Sequence, residues 1–174
     1  MAFPNDEGVS TSLTHLHDGS GVSDKYDVFL SFRGEDTRYI FTDHLYAALR
    51  LNGLKIFVED DLKRGDEILD ALYKGCKSSH TSLIILSRNY ANSSWCLEEL
   101  VMILEQREKN GQLVLPVFYG VNPSEVRKQE GYFGSTFIKY SESFGEKKVN
   151  RWKEALTKVA NLSGWHLGGG YVSK

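Results

Sequence analysis

Thr81-Ser82-Leu83-Ile84-Ile85-Leu86-Ser87 decides the fold. Its unbroken Leu-Ile-Ile-Leu centre has no alternation, which suits a strand covered on both faces, the habit of parallel sheets with helices on either side. Downstream, a polar loop passes into Ser93-Ser94-Trp95-Cys96-Leu97-Glu98-Glu99-Leu100. Turned at about 100° per residue from Trp95, this segment places Leu97, Leu100, Val101 and Leu104 on one apolar stripe, widened by Ile103, which predicts a helix running to Asn110-Gly111. Leu113-Val114-Leu115-Pro116-Val117-Phe118-Tyr119 reads as a further strand, with Pro116 placing it toward an edge or an irregularity.

Upstream, Tyr26-Asp27-Val28-Phe29-Leu30-Ser31-Phe32 has the β-branched and aromatic content of a buried strand and stops at Arg33-Gly34-Glu35-Asp36. A helical pattern from Thr37 puts Ile40, Phe41, His44, Leu45, Ala48 and Leu49 on one face, with Asp36 or Thr37 as cap and Gly53 as stop. Leu54 to Val58 is a second strand, followed by the charged loop Glu59 to Asp66. Asp66 is placed to cap a helix toward Ser78, and Gly75 inside that helix costs about 1 kcal/mol relative to Ala. Past Tyr119, Asn122-Pro123-Ser124 opens a short helical region punctuated by Gly131 and Gly134. A last helix carries Val149, Trp152, Leu156, Val159, Ala160 and Ser163 on one face and ends at Gly164. Residues 1–24, rich in Ser, Thr, Gly and Asp, read as a flexible tail, and residues 168–174 as a tail or linker, leaving one domain at 25–167.

Strands alternating with helices predict a flavodoxin-like α/β three-layer sandwich, a central parallel sheet of about five strands flanked by helices. Ligands in such sheets bind beyond the carboxyl ends of the strands, where the strand order reverses. The loops after the first three strands share that rim, which gathers Arg33, Lys63, Arg64 and Glu99. On the helical wheel Glu98 falls on the far side with Glu105, whereas Glu99 lies beside Ile103 at the shoulder of the stripe, where a side chain enters a cleft without being entombed. The helix N-terminus is expected to keep Glu99 ionised, and the plainer reading of both acids is that they only complement that end of the helix.

The net charge of −2, with both signs interspersed, gives no basic footprint for nucleic acid or an anionic membrane. Cys76 and Cys96 form neither a disulfide framework nor a metal cluster, so no metal and no bound cofactor are expected. Asp6 and Glu7 stand where a signal peptide carries basic residues, and no apolar run reaches bilayer length; the expectation is a soluble intracellular protein. There is no glycine-rich dinucleotide fingerprint and no phosphate loop ending in Gly-Lys-Ser/Thr. Ser87 stands where a phosphorelay receiver needs aspartate, and no His pairs with Cys or Ser at the spacing of a nucleophilic triad. What remains is a rim of cations, an aromatic Trp95 and one carboxylate, suited to a phosphorylated nucleotide whose base stacks. Breaking the nicotinamide–ribose bond of NAD+ needs one carboxylate only, because the pyridinium departs as a neutral base; ordinary glycosidases need a second, proton-donating carboxyl.

Three motifs taken together, Tyr26-Asp27-Val28-Phe29-Leu30-Ser31-Phe32-Arg33-Gly34-Glu35-Asp36-Thr37-Arg38, Arg64-Gly65-Asp66, and Asn89-Tyr90-Ala91-Asn92-Ser93-Ser94-Trp95-Cys96-Leu97-Glu98-Glu99-Leu100, resemble the plant TIR (Toll/interleukin receptor) domain of intracellular immune receptors. Val114 to Tyr119, Pro123 to Arg127 and Trp152 through Trp165 extend the likeness over Lys25 to about Leu167. The resemblance implies an NAD+ glycohydrolase, with NADP+ as the other candidate substrate, giving nicotinamide and ADP-ribose or cyclic variants as immune signals in the cytoplasm or nucleus. It implies Glu99 as the catalytic residue and Arg33, Gly34, Lys63, Arg64, Ser93 and Trp95 as substrate-binding. It also implies self-association, as dimer or tetramer, through the first helix around Asp43 and His44 and through the second loop. Non-catalytic adaptors that signal only by TIR–TIR contact are the alternative class. Alternatives also stand for single residues: Trp95 as a plug at the helix start, Arg33 as a partner of Glu35 or Asp36, His44 as a packed histidine. Two departures from the family pattern, Gly75-Cys76 in the second helix and Asn122 where Asp is usual, bear on loop ordering or assembly.

Overall fold

The computed structural model describes residues 25–59 and 67–168. The two tails predicted at 1–24 and 168–174 therefore lie outside the described residues apart from Gly168, as do Lys63, Arg64 and Asp66 of the second loop.

Five parallel strands, β1 (Tyr26–Phe32), β2 (Ile56–Phe57), β3 (Ser79–Leu86), β4 (Leu113–Tyr119) and β5 (Trp165–Leu167), form one sheet in the order β2-β1-β3-β4-β5. The chain leaves β1 in one direction to build β2 and then crosses back to β3, so the order reverses between β1 and β3. Register places Ser31 beside Ile84 and Ile84 beside Pro116. Pro116 sits where β4 has no other strand beside it, because β5 pairs only from Val117 onward. The predicted fold is found; the fifth strand, Trp165–Leu167, was not placed in the residue pattern, being three residues long with Trp165 and His166 exposed.

Alternation along the strands divides the core in two. Phe29, Phe57, Ile84, Leu86, Val114 and Phe118 face a cluster with Leu72, Leu97, Leu100, Phe133, Trp152 and Leu156. Val28, Leu30, Ile56, Val58, Leu83, Ile85 and Val117 point the other way, toward Phe41, Leu45, Tyr46 and Leu49. The first cluster is supplied by α3 (Ile68–Lys77), α4 (Ser94–Asn110) and α7 (Glu146–Ala160), together with the segment between β4 and α7 that holds α5 (Pro123–Lys128) and α6 (Gly134–Phe144). Asn122, the departure before Pro123, completes a capping box with Glu125, so that turn is well formed. α6 was not separated in the sequence pattern, because Gly131 and Gly134 mask its start.

The helix expected from Thr37 is corrected in phase. A short turn α1 (Gly34–Thr37) is followed by a π-helical turn, Arg38–Thr42, and then by α2 (Asp43–Leu51). A π turn inserts a residue into the helical repeat and rotates the later face, so Phe41, Leu45, Tyr46 and Leu49 pack inward while Ile40, His44 and Ala48 are exposed. Neither Asp36 nor Thr37 caps α2 through its side chain. In α3 the helix runs unbroken through Gly75, whose missing side chain is required: a Cβ there would lie 2.6 Å from the Phe57 ring.

Candidate active site

α4 begins at the rim because Ser93 caps it, its Oγ accepting from the Cys96 amide at 3.3 Å, and it stops at Gly111, whose φ of 68° only glycine adopts readily. Its first turn presents Trp95 to the space beyond β1. There Arg33, Gly34, Ser93 and Trp95 surround one cleft of about 410 Å³, completed by Phe32, Glu35, Arg38, Tyr39, Glu59 and Cys96. Four of the predicted site residues are thus brought together; Lys63 and Arg64 lie outside the described residues.

Arg33 donates to Glu35 and stands 3.8 Å from Asp36, the ion pair held open as an alternative above. The Glu35 side chain is exposed while that of Arg33 is largely covered, so the partner of the guanidinium that an anionic ligand would displace is the solvent-facing Glu35. Trp95 is 41% exposed, which rules out the buried plug and leaves the indole open to solvent. Gly34 leaves room for Arg38: a Cβ would come within 3.0 Å of the Arg38 guanidinium, which lies over the Phe32 ring at 5.2 Å. Arg38, Tyr39 and Glu59 were not singled out by sequence reasoning.

Asp36 has a different task. Its carboxylate accepts from Ser87 Oγ at 2.6 Å, from the Asn89 amide at 2.9 Å and from Asn89 Nδ2 at 3.1 Å, joining the loop after β1 to the loop after β3.

Glu99 is where the structure departs most from expectation. It was placed at a cleft shoulder and is instead buried, 5% exposed, bonded to Ser31 and absent from the lining of the cleft. α4 packs against β1, where Ser31 meets Glu99, and this closes the shoulder. Lys148 and Lys158 of α7 meet Glu98 and Glu108 at 2.8 and 2.7 Å, and Arg151 meets Glu105. Glu98 is therefore an outward ion-pair residue. Burial pushes the Glu99 carboxyl up to about 8, against the lowering effect of a 2.6 Å hydrogen bond from Ser31 Oγ, with Glu59 adding a smaller upward push. The expectation that the helix N-terminus keeps it ionised is overturned: desolvation is the larger effect. Burial likewise pushes the neighbouring Cys96 thiol up to about 12. Both cysteines are free and buried. Asp43 and His44 are exposed on α2, so the packed reading of His44 is excluded.

The TIR domain family model matches residues 25–170. The chain belongs to the TIR domain family. This TIR domain is 56% identical over 142 residues to the disease resistance protein RPV1 of Vitis rotundifolia, covering 82% of the chain and 10% of that protein. It is 44% identical over 160 residues to the disease resistance protein TAO1 of Arabidopsis thaliana, covering 91% of the chain and 14% of that protein. It thus spans a tenth to a seventh of the length of these curated relatives. Among solved structures it resembles the TIR domains of the activated Roq1 resistosome that directly recognises the pathogen effector XopQ. The TM-score is 0.79 at 50% identity, over 86% of this chain and 92% of that one. No helix among the described residues is long and apolar enough to cross a membrane.

Proposed function

We propose that this TIR domain is an NAD+ glycohydrolase of plant innate immune signalling, active in a self-associated state in the cytoplasm or nucleus. The observation that carries the reading is a buried carboxyl, Glu99, on the first turns of the helix whose Trp95 and Cys96 line a cleft shared with Arg33 at the β1–β3 reversal. The diphosphate of NAD+ fits the Arg33 guanidinium, with Lys63 and Arg64 as the expected further cations, and a ring of the dinucleotide fits the exposed Trp95 face. The C–N bond to nicotinamide breaks with its electron pair going to the pyridine nitrogen, so the leaving group needs no proton. The ionised Glu99 carboxylate stabilises the positive charge that develops on the ribose. Water then adds to the anomeric carbon and loses a proton, giving ADP-ribose. Attack by a nucleophile of the same dinucleotide gives a cyclic variant. NADP+ has the same scissile bond and is the other candidate substrate. Relatives bear disease-resistance names and the Roq1 TIR domains sit in an activated resistosome, which supports the immune and self-associated parts of the reading.

The test is nicotinamide release from NAD+ by the wild type, Glu99→Gln and Glu98→Gln at concentrations spanning monomer and assembly. The expected result is loss of release in Glu99→Gln alone. Equal loss in both variants, with folding intact, overturns the assignment. The burial of Glu99 also fits a second reading, a non-catalytic TIR–TIR scaffold in which this carboxyl is simply core; absence of nicotinamide release at every concentration selects it.

A further inference from the structure

Three buried hydroxyl and carboxyl groups from separate elements form one line. Glu99 Oε2 is 2.6 Å from Ser31 Oγ, Ser31 Oγ is 3.0 Å from Tyr90 Oη, and Tyr90 Oη is 3.0 Å from the Cys96 carbonyl oxygen. Ser31 and Tyr90 have no solvent exposure at all. Each hydroxyl has one proton to give, so the line is satisfied in full by one arrangement only. A neutral Glu99 donates to Ser31, Ser31 donates to Tyr90, and Tyr90 donates to the Cys96 carbonyl. Remove the carboxyl proton and Ser31 must turn to donate to the carboxylate. Tyr90 then has one proton for two acceptors, Ser31 and Cys96, and one contact is lost.

We propose that Tyr90, acting through Ser31, is a positioning residue that biases the Glu99 carboxyl toward its neutral form in the resting domain through this directed chain. The chain ends on the first turn of α4, so that proton loss at Glu99 is coupled to that turn. Its functional half rests on the assignment of Glu99 as the reacting carboxylate; the protonation itself does not. Cys96 and Trp95 belong to the same turn and line the cleft, so the bond Tyr90 gives to Cys96 ties the cleft wall to the charge state behind it. Among the described residues, the other titratable or charged groups around Glu99 are Cys96 on its own helix, Cys76 on α3, Tyr90, Glu59 after β2 and Arg33 after β1. Burial pushes both thiols up to about 12 and the Tyr90 phenol well above its ordinary range, so none of the three titrates with Glu99.

Carboxyl carbon NMR of glutamate-labelled protein, with Glu99→Gln assigning the resonance, reads the titration without any activity assay. A Glu99 carboxyl that is neutral at pH 6 and titrates near pH 8 in the wild type is expected; one already ionised at pH 6 overturns the proposal, whatever the variants do. Tyr90→Phe removes two bonds from the neutral form and one from the ionised form, so the midpoint should fall by about half to one pH unit. Because Tyr90 acts only through Ser31, the same change in a Ser31→Ala background should leave the midpoint where Ser31→Ala puts it. A Tyr90→Phe shift that is absent, upward, or equal in both backgrounds overturns the chain. Nicotinamide release measured against pH then separates the two readings. If the carboxyl midpoint moves as stated and no nicotinamide appears under any condition, the enzyme assignment falls and the chain stands. If NAD+ is cleaved with a pH profile that Tyr90→Phe leaves unmoved, the chain falls and the enzyme stands.

Discussion

Ser31 on β1 and Glu99 on α4 are 68 positions apart in sequence and 2.6 Å apart at their side-chain oxygens. The strand that ends in the cleft and the helix that opens it are therefore joined by a buried polar contact in an otherwise apolar layer, where an unpartnered group costs about 1–3 kcal/mol.

That burial makes stability depend on pH in a definite direction. The folded Glu99 carboxyl titrates at about 8, whereas an unfolded glutamate titrates at about 4.3. Between these values the folded state holds a proton that the unfolded chain has lost, so its contribution is complete below the lower value. It declines as pH rises toward the upper one, at up to roughly 1.4 kcal/mol per pH unit. Glu99→Gln has no such proton. Urea unfolding from pH 5 to pH 8 should show the variant gaining steadily on the wild type; curves that run parallel contradict the burial argument.

Arg33 and Trp95 should act on substrate affinity. Arg33→Ala is expected to raise KM for NAD+ tenfold or more, consistent with a charge-assisted bond of about 1.5–3 kcal/mol, and Arg33→Lys to recover only part, since an ammonium lacks the planar fork. Trp95→Ala should raise KM by the about 1–3 kcal/mol typical of aromatic stacking on a base. Steady-state kinetics decide it: unchanged KM in both alanine variants moves the dinucleotide off this rim.

Gly75→Ala tests the contact of α3 with the sheet. The added methyl would lie 2.6 Å from the Phe57 ring, and overpacking of this kind costs about 1–3 kcal/mol, more than the roughly 1 kcal/mol that alanine returns in helix propensity. A net loss of about 1 kcal/mol in chemical denaturation is expected, relieved in the Gly75→Ala, Phe57→Leu double variant. A stabilised single variant would mean that the helix sits farther from the ring.

His44 is exposed on α2, so His44→Ala should leave monomer stability within about 0.5 kcal/mol. Under the self-association proposal it should nevertheless flatten the rise of specific activity with protein concentration. Turnover that is concentration-independent in the wild type would remove the premise.

Much of this was legible in the chain because parallel strands covered on both faces write themselves as apolar runs. Leu83 to Leu86 and Val28 to Leu30 needed no tertiary context, and Asn110-Gly111 marked the end of α4. The phase of the first helix was not legible, because a π turn depends on packing and leaves no mark in a 3.6-residue pattern. Nor was the burial of Glu99: a helical wheel places a residue on a shoulder, and only the docking of α4 against β1 decides whether the shoulder is open. Arg38 was hidden for a similar reason, since its role depends on the room Gly34 leaves above Phe32.

The three bonds from Ser87 and Asn89 onto Asp36 have a mechanical consequence. They latch the Arg33–Gly34 side of the cleft to the exit of the central strand, so that side cannot swing without breaking several charge-assisted bonds at once. Any motion that uncovers Glu99 must come from the opposite side, the first turn of α4 or the segment at Glu59. The cleft works as a vice with one fixed jaw, and ligand contacts made to the fixed jaw keep their geometry while the other jaw travels.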